Sequence, residues 1–305
     1  MATTIQNNIN NRLIKSASEG DIDEIKLLID LGADINIYNG ESLRHCAENN
    51  HMEAAKLFLE KGVDINACVK SNGANPNKEG KTALHYAAQR GHIEMVSYLL
   101  DNKANIEMKS KLKKNALHFA VDSNHIAVVK LLVERGADIH AKGFCEKEEY
   151  ALLLSAIYNR IEIMKYLLEK GANACVNNGY ILTKCAQYLN IEVIQILLDA
   201  GADVHAQNDA ALKNAIENAN IEGVKLLLKY GANISANSDS TPFLFLARNN
   251  IEMIKILLDN GAVLPKETND NLTVAKVMYD NKMLQEKVDA LQKQLDDVKQ
   301  IINNA

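Results

Sequence analysis

One spacing constrains this chain more than any other. A glycine followed by Ala or Val closes an apolar run at Gly32, Gly62, Gly136, Gly171, Gly201, Gly231 and Gly261. The last four glycines stand 30 residues apart, and "DNKANI" (101–106) is a degenerate copy with Lys103 in the glycine's place. "IEVIQILLDAGA" (191–202) and "IEMIKILLDNGA" (251–262) show how closely copies agree. A fixed period of this length makes each unit one supersecondary brick, and the chain a stack of bricks.

Every unit has the same internal grammar. A first helix is anchored by Leu13, Leu43, Leu84, Leu117, Leu152, Leu182, Leu212 and Phe243. Three residues on stands a small side chain: Ser16, Cys46, Ala87, Ala120, Ser155, Cys185 or Ala215. Such a position lets another helix approach closely. A short turn leads into a second helix of the form I-E-x-I-K-x-L-L, apolar over one broad face. The closing Gly suits a left-handed helix end. Neither helix is long enough to stand alone in water, so each must pack on its neighbours.

These residues resemble the ankyrin repeat family. "KTALHYAAQRGHIEMVSYLLDNKANI" (81–106) carries the resemblance most fully, and "NALHFAVDSNHIAVVKLLVERGADI" (115–139) nearly as well. About eight units between residues 10 and 264 follow the pattern. The resemblance implies an all-α solenoid of helix-turn-helix units with short β-hairpin fingers. The fingers are expected to be short because only five residues separate Ala206 from Leu212. The shortened units are similar to those of ankyrin proteins of large DNA viruses, and bacterial effectors use such arrays too. The expected division is a repeat domain over 1–265 and a capping segment with a C-terminal helix over 266–305. "ACVKSNGANPN" (67–77) reads as an insertion, an enlarged loop or the stump of a lost repeat.

Periodicity also decides between chemistry and structure. His85 and His118 share one repeat position; His51, His92 and His125 share another. A catalytic or metal-binding histidine is placed once, not in phase with a repeat, and the resemblance implies structural hydrogen bonds here. The acid of each "I-E" (Glu53, Glu94, Glu162, Glu192, Glu222, Glu252) stands in the first turn of its helix, where the dipole favours negative charge. No metal-ligand spacing, phosphate-binding glycine loop or nucleophile motif occurs. The reading is therefore a protein that is not an enzyme, with no cofactor and no metal.

A net charge of −5 argues against nucleic acid and anionic membrane as partners. No apolar run is long enough to span a bilayer, and the N-terminus lacks the apolar core of a signal peptide. Five scattered cysteines fit a reducing compartment, so a cytoplasmic location is expected, that of the host if the source is viral or an effector. The expected partners are proteins, in a scaffold of viral or bacterial source that engages host proteins.

The resemblance implies docking on the concave side, through hairpin tips and a variable pair just before each helix–helix turn. Here those positions include Glu48, Gln89, Arg90, Asp122, Tyr158, Gln187 and Tyr188. Aromatic and Arg residues make the strongest anchors, which singles out Arg90, Tyr158 and Tyr188. Tyr38, Phe144 and Tyr150 lie near hairpin segments. The tail "MLQEKVDALQKQLDDVKQII" shows heptads: Asn281, Val288, Leu295 and Ile302 at a; Val277, Leu284, Leu291 and Val298 at d. Three to four heptads leave two readings open. One is a homodimer or trimer through this helix, which makes the protein a structural oligomer. The other is a lone helix packed on the last repeat.

Overall fold

The computed structural model describes residues 2–68, 80–143, 150–187, 190–234, 243–247, 250–262, 277, 280–281, 284–285 and 287–294. The 67–77 insertion lies almost wholly outside them. The chain packs as two compact units, Met1–Asn177 and Asn178–Ala305.

Among the described residues the first unit has five helix pairs. They are α1 (Ala2–Glu19) with α2 (Ile22–Asp30), α3 (Ile37–Asn49) with α4 (Met52–Glu60), α5 (Ala83–Arg90) with α6 (Ile93–Asp101), α7 (Ala116–Asp122) with α8 (Ile126–Glu134), and α9 (Tyr150–Ile157) with α10 (Ile161–Glu169). First helices stack on first helices, α1 on α3, α3 on α5, α5 on α7 and α7 on α9. Second helices form their own row, α2 on α4, α6 on α8 and α8 on α10. Helix α11 (Val176–Cys185) begins at the boundary between the units. The second unit continues with α12 (Ile191–Asp199), α13 (Ala206–Glu217), α14 (Ile221–Lys229), α15 (Phe243–Leu246) and α16 (Ile251–Asp259). There α14 lies between α12 and α16, and α13 packs on α15.

The columns read from the sequence are the core. All eight first-helix anchors, from Leu13 to Phe243, are buried. So are all seven small residues three positions on, with Cys46 and Cys185 taking the place of Ala or Ser. Burial pushes both thiols up to about 12, so they pack as small apolar groups. Ile25, Phe58, Val96, Val129, Met164, Ile194, Val224 and Ile254 fill the inner face of the second helices. Each such side chain contributes about 1.5–3 kcal/mol over its exposed state.

The "G-A-[DN]" signature resolves into three jobs. Gly32, Gly62, Gly136, Gly171, Gly201, Gly231 and Gly261 take φ from 84° to 99°. A side chain there would meet nothing within 4 Å, so the backbone angle alone selects glycine, and Lys103 adopts φ 68° at the same place. The Ala that follows, or Val63 after Gly62, is buried in every copy but the last, where Ala262 is half-buried. The Asp or Asn then folds back on its own chain. Oδ1 of Asp34, Asp64, Asn105, Asp138, Asn173 and Asp203 accepts from the backbone N–H two residues on, at 2.8–3.0 Å.

Hairpin fingers were expected between repeats. Among the described residues no strand forms, and Lys142 alone makes an isolated bridge. Two substitutes appear. In 110–114 a tight turn closes with the Ser110 N–H donating to the Lys114 carbonyl at 2.9 Å. In the shortest linkers the chain makes one left-handed turn of three residues: Tyr38-Asn39-Gly40, Asn177-Asn178-Gly179 and Gln207-Asn208-Asp209, all with φ between 45° and 75°. Too few residues remain there for two paired strands. Left-handed residues other than glycine cost roughly 1–2 kcal/mol each. Specific bonds offset that cost. The buried Arg44 guanidinium donates to the carbonyls of Asn39 at 2.5 Å and Tyr38 at 2.9 Å. Asn39 donates to the Cys68 carbonyl at 2.7 Å, and Gln207 to that of Asn178 at 3.0 Å. Buried Asp209 accepts from the Asn233 N–H at 2.7 Å and lies 3.1 Å from His205 Nδ1.

Helix α1 begins at Ala2, eleven residues ahead of its anchor Leu13. Its first half packs on the end of the first repeat. Asn10 accepts from the Asp34 N–H and Gln6 donates to the Gly32 carbonyl, both at 2.9 Å.

Candidate functional site

The histidines bind repeats together. Thr82 N–H donates to His85 Nδ1 at 2.9 Å, which leaves Nε2 to donate to the Met108 carbonyl of the next linker at 2.8 Å. His118 repeats this arrangement with Asn115 N–H and the Ala141 carbonyl, each at 3.1 Å. Burial pushes both imidazoles down to about 4, so they are neutral at pH 7. The second histidine column reaches back instead. Nε2 of His51, His92 and His125 bonds the carbonyls of Ser18, Glu48 and Gln89 at 2.9–3.1 Å. Arg160 takes over that role on the Asp122 carbonyl at 3.1 Å. In the second unit Asn190, Asn220 and Asn250 hold the position as side-chain caps of the following helix.

The "I-E" acids stand exposed in the first turns of successive helices. Lysines of the second helices work between repeats: Lys56 lies over the Tyr98 ring, and Lys130 over Tyr166 and 3.7 Å from Glu162. No group of three or more His, Cys, Asp or Glu among the described residues could hold a metal ion. No described helix is long and apolar enough to cross a membrane.

In the first unit the variable pairs form a row along the ends of the first helices, through Glu48, Gln89 and Arg90, Asp122, and Ile157 and Tyr158. Its members are engaged to different degrees. Arg90 donates to Glu48 at 2.6 Å across two repeats. Gln89 accepts from Lys81 at 2.9 Å, and Asp122 pairs with Lys114 at the same distance. Ile157 and Tyr158 project to solvent, 37% and 49% exposed. In the second unit Gln187 is half-buried, while Tyr188 lies outside the described residues. Tyr38 is exposed on its left-handed turn. Phe144 and the Tyr150 side chain also fall outside the description.

Beside this row sits a group that the variable-pair pattern misses. Lys81 is buried with its ammonium 4.6 Å from the Phe119 ring centre and 5.3 Å from that of Tyr86. Lys114 approaches Phe119 at 5.9 Å, and the His85 ring meets Phe119 edge-on at 5.2 Å. Burial pushes the Lys81 ammonium down and the Tyr86 phenol up. The signal was present in the sequence: Lys81 and Lys114 each stand three residues before the anchor leucine, and Tyr86 and Phe119 two after it. The heptad residues Asn281, Leu284, Val288 and Leu291 are helical and exposed, whereas Leu295, Val298 and Ile302 lie outside the described residues.

The repeated helix pair, its left-handed glycine end, the Asx turn and the bridging histidine together match one family pattern. Models of that family cover residues 39–70 (a single ankyrin repeat) and 67–143 and 140–208 (ankyrin repeats in three copies), more than half of the chain. The chain belongs to the ankyrin repeat family. Its helix pairs continue beyond the matched segment to Asp259. Among solved structures, the human ASB11 ankyrin repeat domain is similar, with a TM-score of 0.61 and 24% identity, over 73% of this chain and 99% of that one. Among curated proteins, a probable E3 ubiquitin-protein ligase of Oryza sativa subsp. japonica, XBOS33, is 32% identical over 100 residues, 31% of this chain and 18% of that protein. An ankyrin repeat and KH domain-containing protein of Caenorhabditis elegans, mask-1, is 31% identical over 109 residues, 35% of this chain and 4% of that protein. The chain thus spans less than a fifth of the length of these relatives. An ankyrin array is a protein-interaction scaffold and generally not an enzyme.

Proposed function

We propose that this ankyrin protein binds a protein partner along the first-helix row of its first unit. The observation that carries the reading is the exposure of Ile157 at a register position whose equivalents, Glu48, Gln89 and Asp122, are all polar and paired, with Tyr158 exposed beside it at the register position of Arg90. A repeat protein gains nothing structural from varying one position in this way, and an exposed aromatic beside an aliphatic side chain is the usual anchor of an interface. Arg90, Gln89, Asp122 and Glu48 form the polar rim, and Gln187 and Tyr188 hold the equivalent pair by sequence in the second unit. The short repeats and the Asn- and Ile-rich composition support a viral or bacterial source with a host target.

A pull-down from the native host compares wild type with Tyr158→Ala, Arg90→Ala and Tyr188→Ala. Loss of the same partner by at least one variant supports the assignment. Retention of every partner by all three removes it.

A second reading, a homo-oligomer assembled through the tail, is favoured by the exposure of Leu284 and Leu291. It adds to the scaffold and does not compete with it. Light scattering of the full chain against a 1–265 truncation tests it, and an unchanged subunit number rejects it.

A further inference from the structure

Four large apolar side chains in the tail face solvent. Val277 is 53% exposed, Leu284 60%, Val288 56% and Leu291 64%. Their spacing of seven, four and three residues places them on one stripe of a helix. The flank of that helix is polar, with Gln285 Nε2 donating to Asp289 at 2.9 Å. We propose that a second copy of this chain covers the stripe as a parallel, two-stranded coiled coil, with Asn281 facing the same residue of the second copy. This rests on the homo-oligomer reading and fixes its subunit number and direction.

Three features of the residues argue for a second copy in this arrangement. The first is charge. In a parallel pair the flanking positions oppose each other as Asp280 to Gln285, Lys287 to Gln292 and Gln294 to Lys299. No like charges meet, so the helix is compatible with itself. The second is Asn281. In a parallel pair its amide meets an identical amide and both bond. An antiparallel pair of the same length sets it against Val298. A carboxamide buried against Val without a partner is costly. The third is exposure. Stacked repeats elsewhere bury their large apolar columns. Here the four described apolar members of the column are open, which is the condition in which two copies gain most by meeting. The outcome for the scaffold is bivalency: two arrays held together engage a partner with paired epitopes far more firmly than one.

The experiment uses the full chain throughout. Light scattering should give twice the 33.7 kDa of one chain. Leu284→Asp with Leu291→Asp should give the mass of one chain, with far-UV dichroism per residue nearly unchanged because the array stays folded. Mild oxidation of Leu284→Cys, run beside wild type to account for the native cysteines, should link two chains through residue 284. The mass of one chain in wild type overturns both the proposal and the homo-oligomer reading. The mass of three chains, or crosslinking only between Leu284→Cys and Leu295→Cys chains, overturns the proposal while the homo-oligomer stands.

Discussion

The Arg90 guanidinium donates to the Glu48 carboxylate at 2.6 Å, joining α5 to α3 at the edge of the first-helix row. Both residues belong to the pairs that vary from repeat to repeat. The pair therefore ties neighbouring repeats while offering its remaining lone pairs and N–H groups to a partner. Arg90 is more than half exposed, so the pair's own stabilisation is small. A double-mutant cycle of Glu48→Gln and Arg90→Gln, read by urea unfolding, should give a coupling of about 0.2–1 kcal/mol. A coupling of several kcal/mol would make the pair structural and remove it from the binding face.

The left-handed turn at Tyr38-Asn39-Gly40 sets a stricter demand. Gly40 has φ 75°, and a side chain there would come 2.9 Å from the Ala67 Cβ. Gly40→Ala should cost at least about 1–2 kcal/mol, since strain and crowding act together. Gly62→Ala has the same backbone strain in open space and should cost less. Equal losses would show that the contact with Ala67 contributes nothing.

Asp209 occupies the third position of an equivalent turn and accepts from the Asn233 N–H at 2.7 Å. Asp209→Ala leaves that donor without its acceptor and should cost about 1–3 kcal/mol. Asp209→Asn keeps an acceptor oxygen and should recover most of the loss. Chemical denaturation of the three proteins measures both effects.

His85 and His118 make stability depend on pH with a definite sign. Their folded values of about 4 lie below the ordinary 6.5, so the unfolded chain binds protons that the folded chain refuses. The stability of the neutral form is complete above pH 6.5 and is lost as pH falls from there toward 4. The loss is on the order of 3 kcal/mol per histidine. Urea midpoints measured between pH 7 and pH 4 should fall more steeply for wild type than for His118→Gln. Identical profiles would contradict the neutral, buried assignment.

Much of this was legible because a repeat states each structural rule many times. The anchor leucines, the small residues after them, the closing glycine and the phased histidines all sit where their periodicity placed them. The replacement of fingers in the described linkers was half legible. Five residues between Ala206 and Leu212 showed that little space remained, but spacing does not reveal that the chain would fill it with a left-handed turn. That outcome depends on bonds between distant residues, such as Asp209 to Asn233 and Arg44 to the carbonyls of its own turn. The row of variable positions was readable, whereas the pairing of Glu48 with Arg90 was not. Those two residues lie 42 apart in the chain, and only stacking brings them together. The lysine–aromatic cluster of Lys81, Tyr86 and Phe119 went unread because its members look like ordinary repeat variation.

The central claim is that function lies where the repeats differ. Affinity purification with mass spectrometry from the native host, using three forms of the full chain, tests it most directly. One is wild type, one carries Gln89→Ala and Tyr158→Ala in the variable row, and one carries Lys26→Ala and Glu94→Ala at repeated, exposed positions of the second helices. The expected result is a partner retained by the first and third and lost by the second. A partner lost by the third and retained by the second would contradict the account.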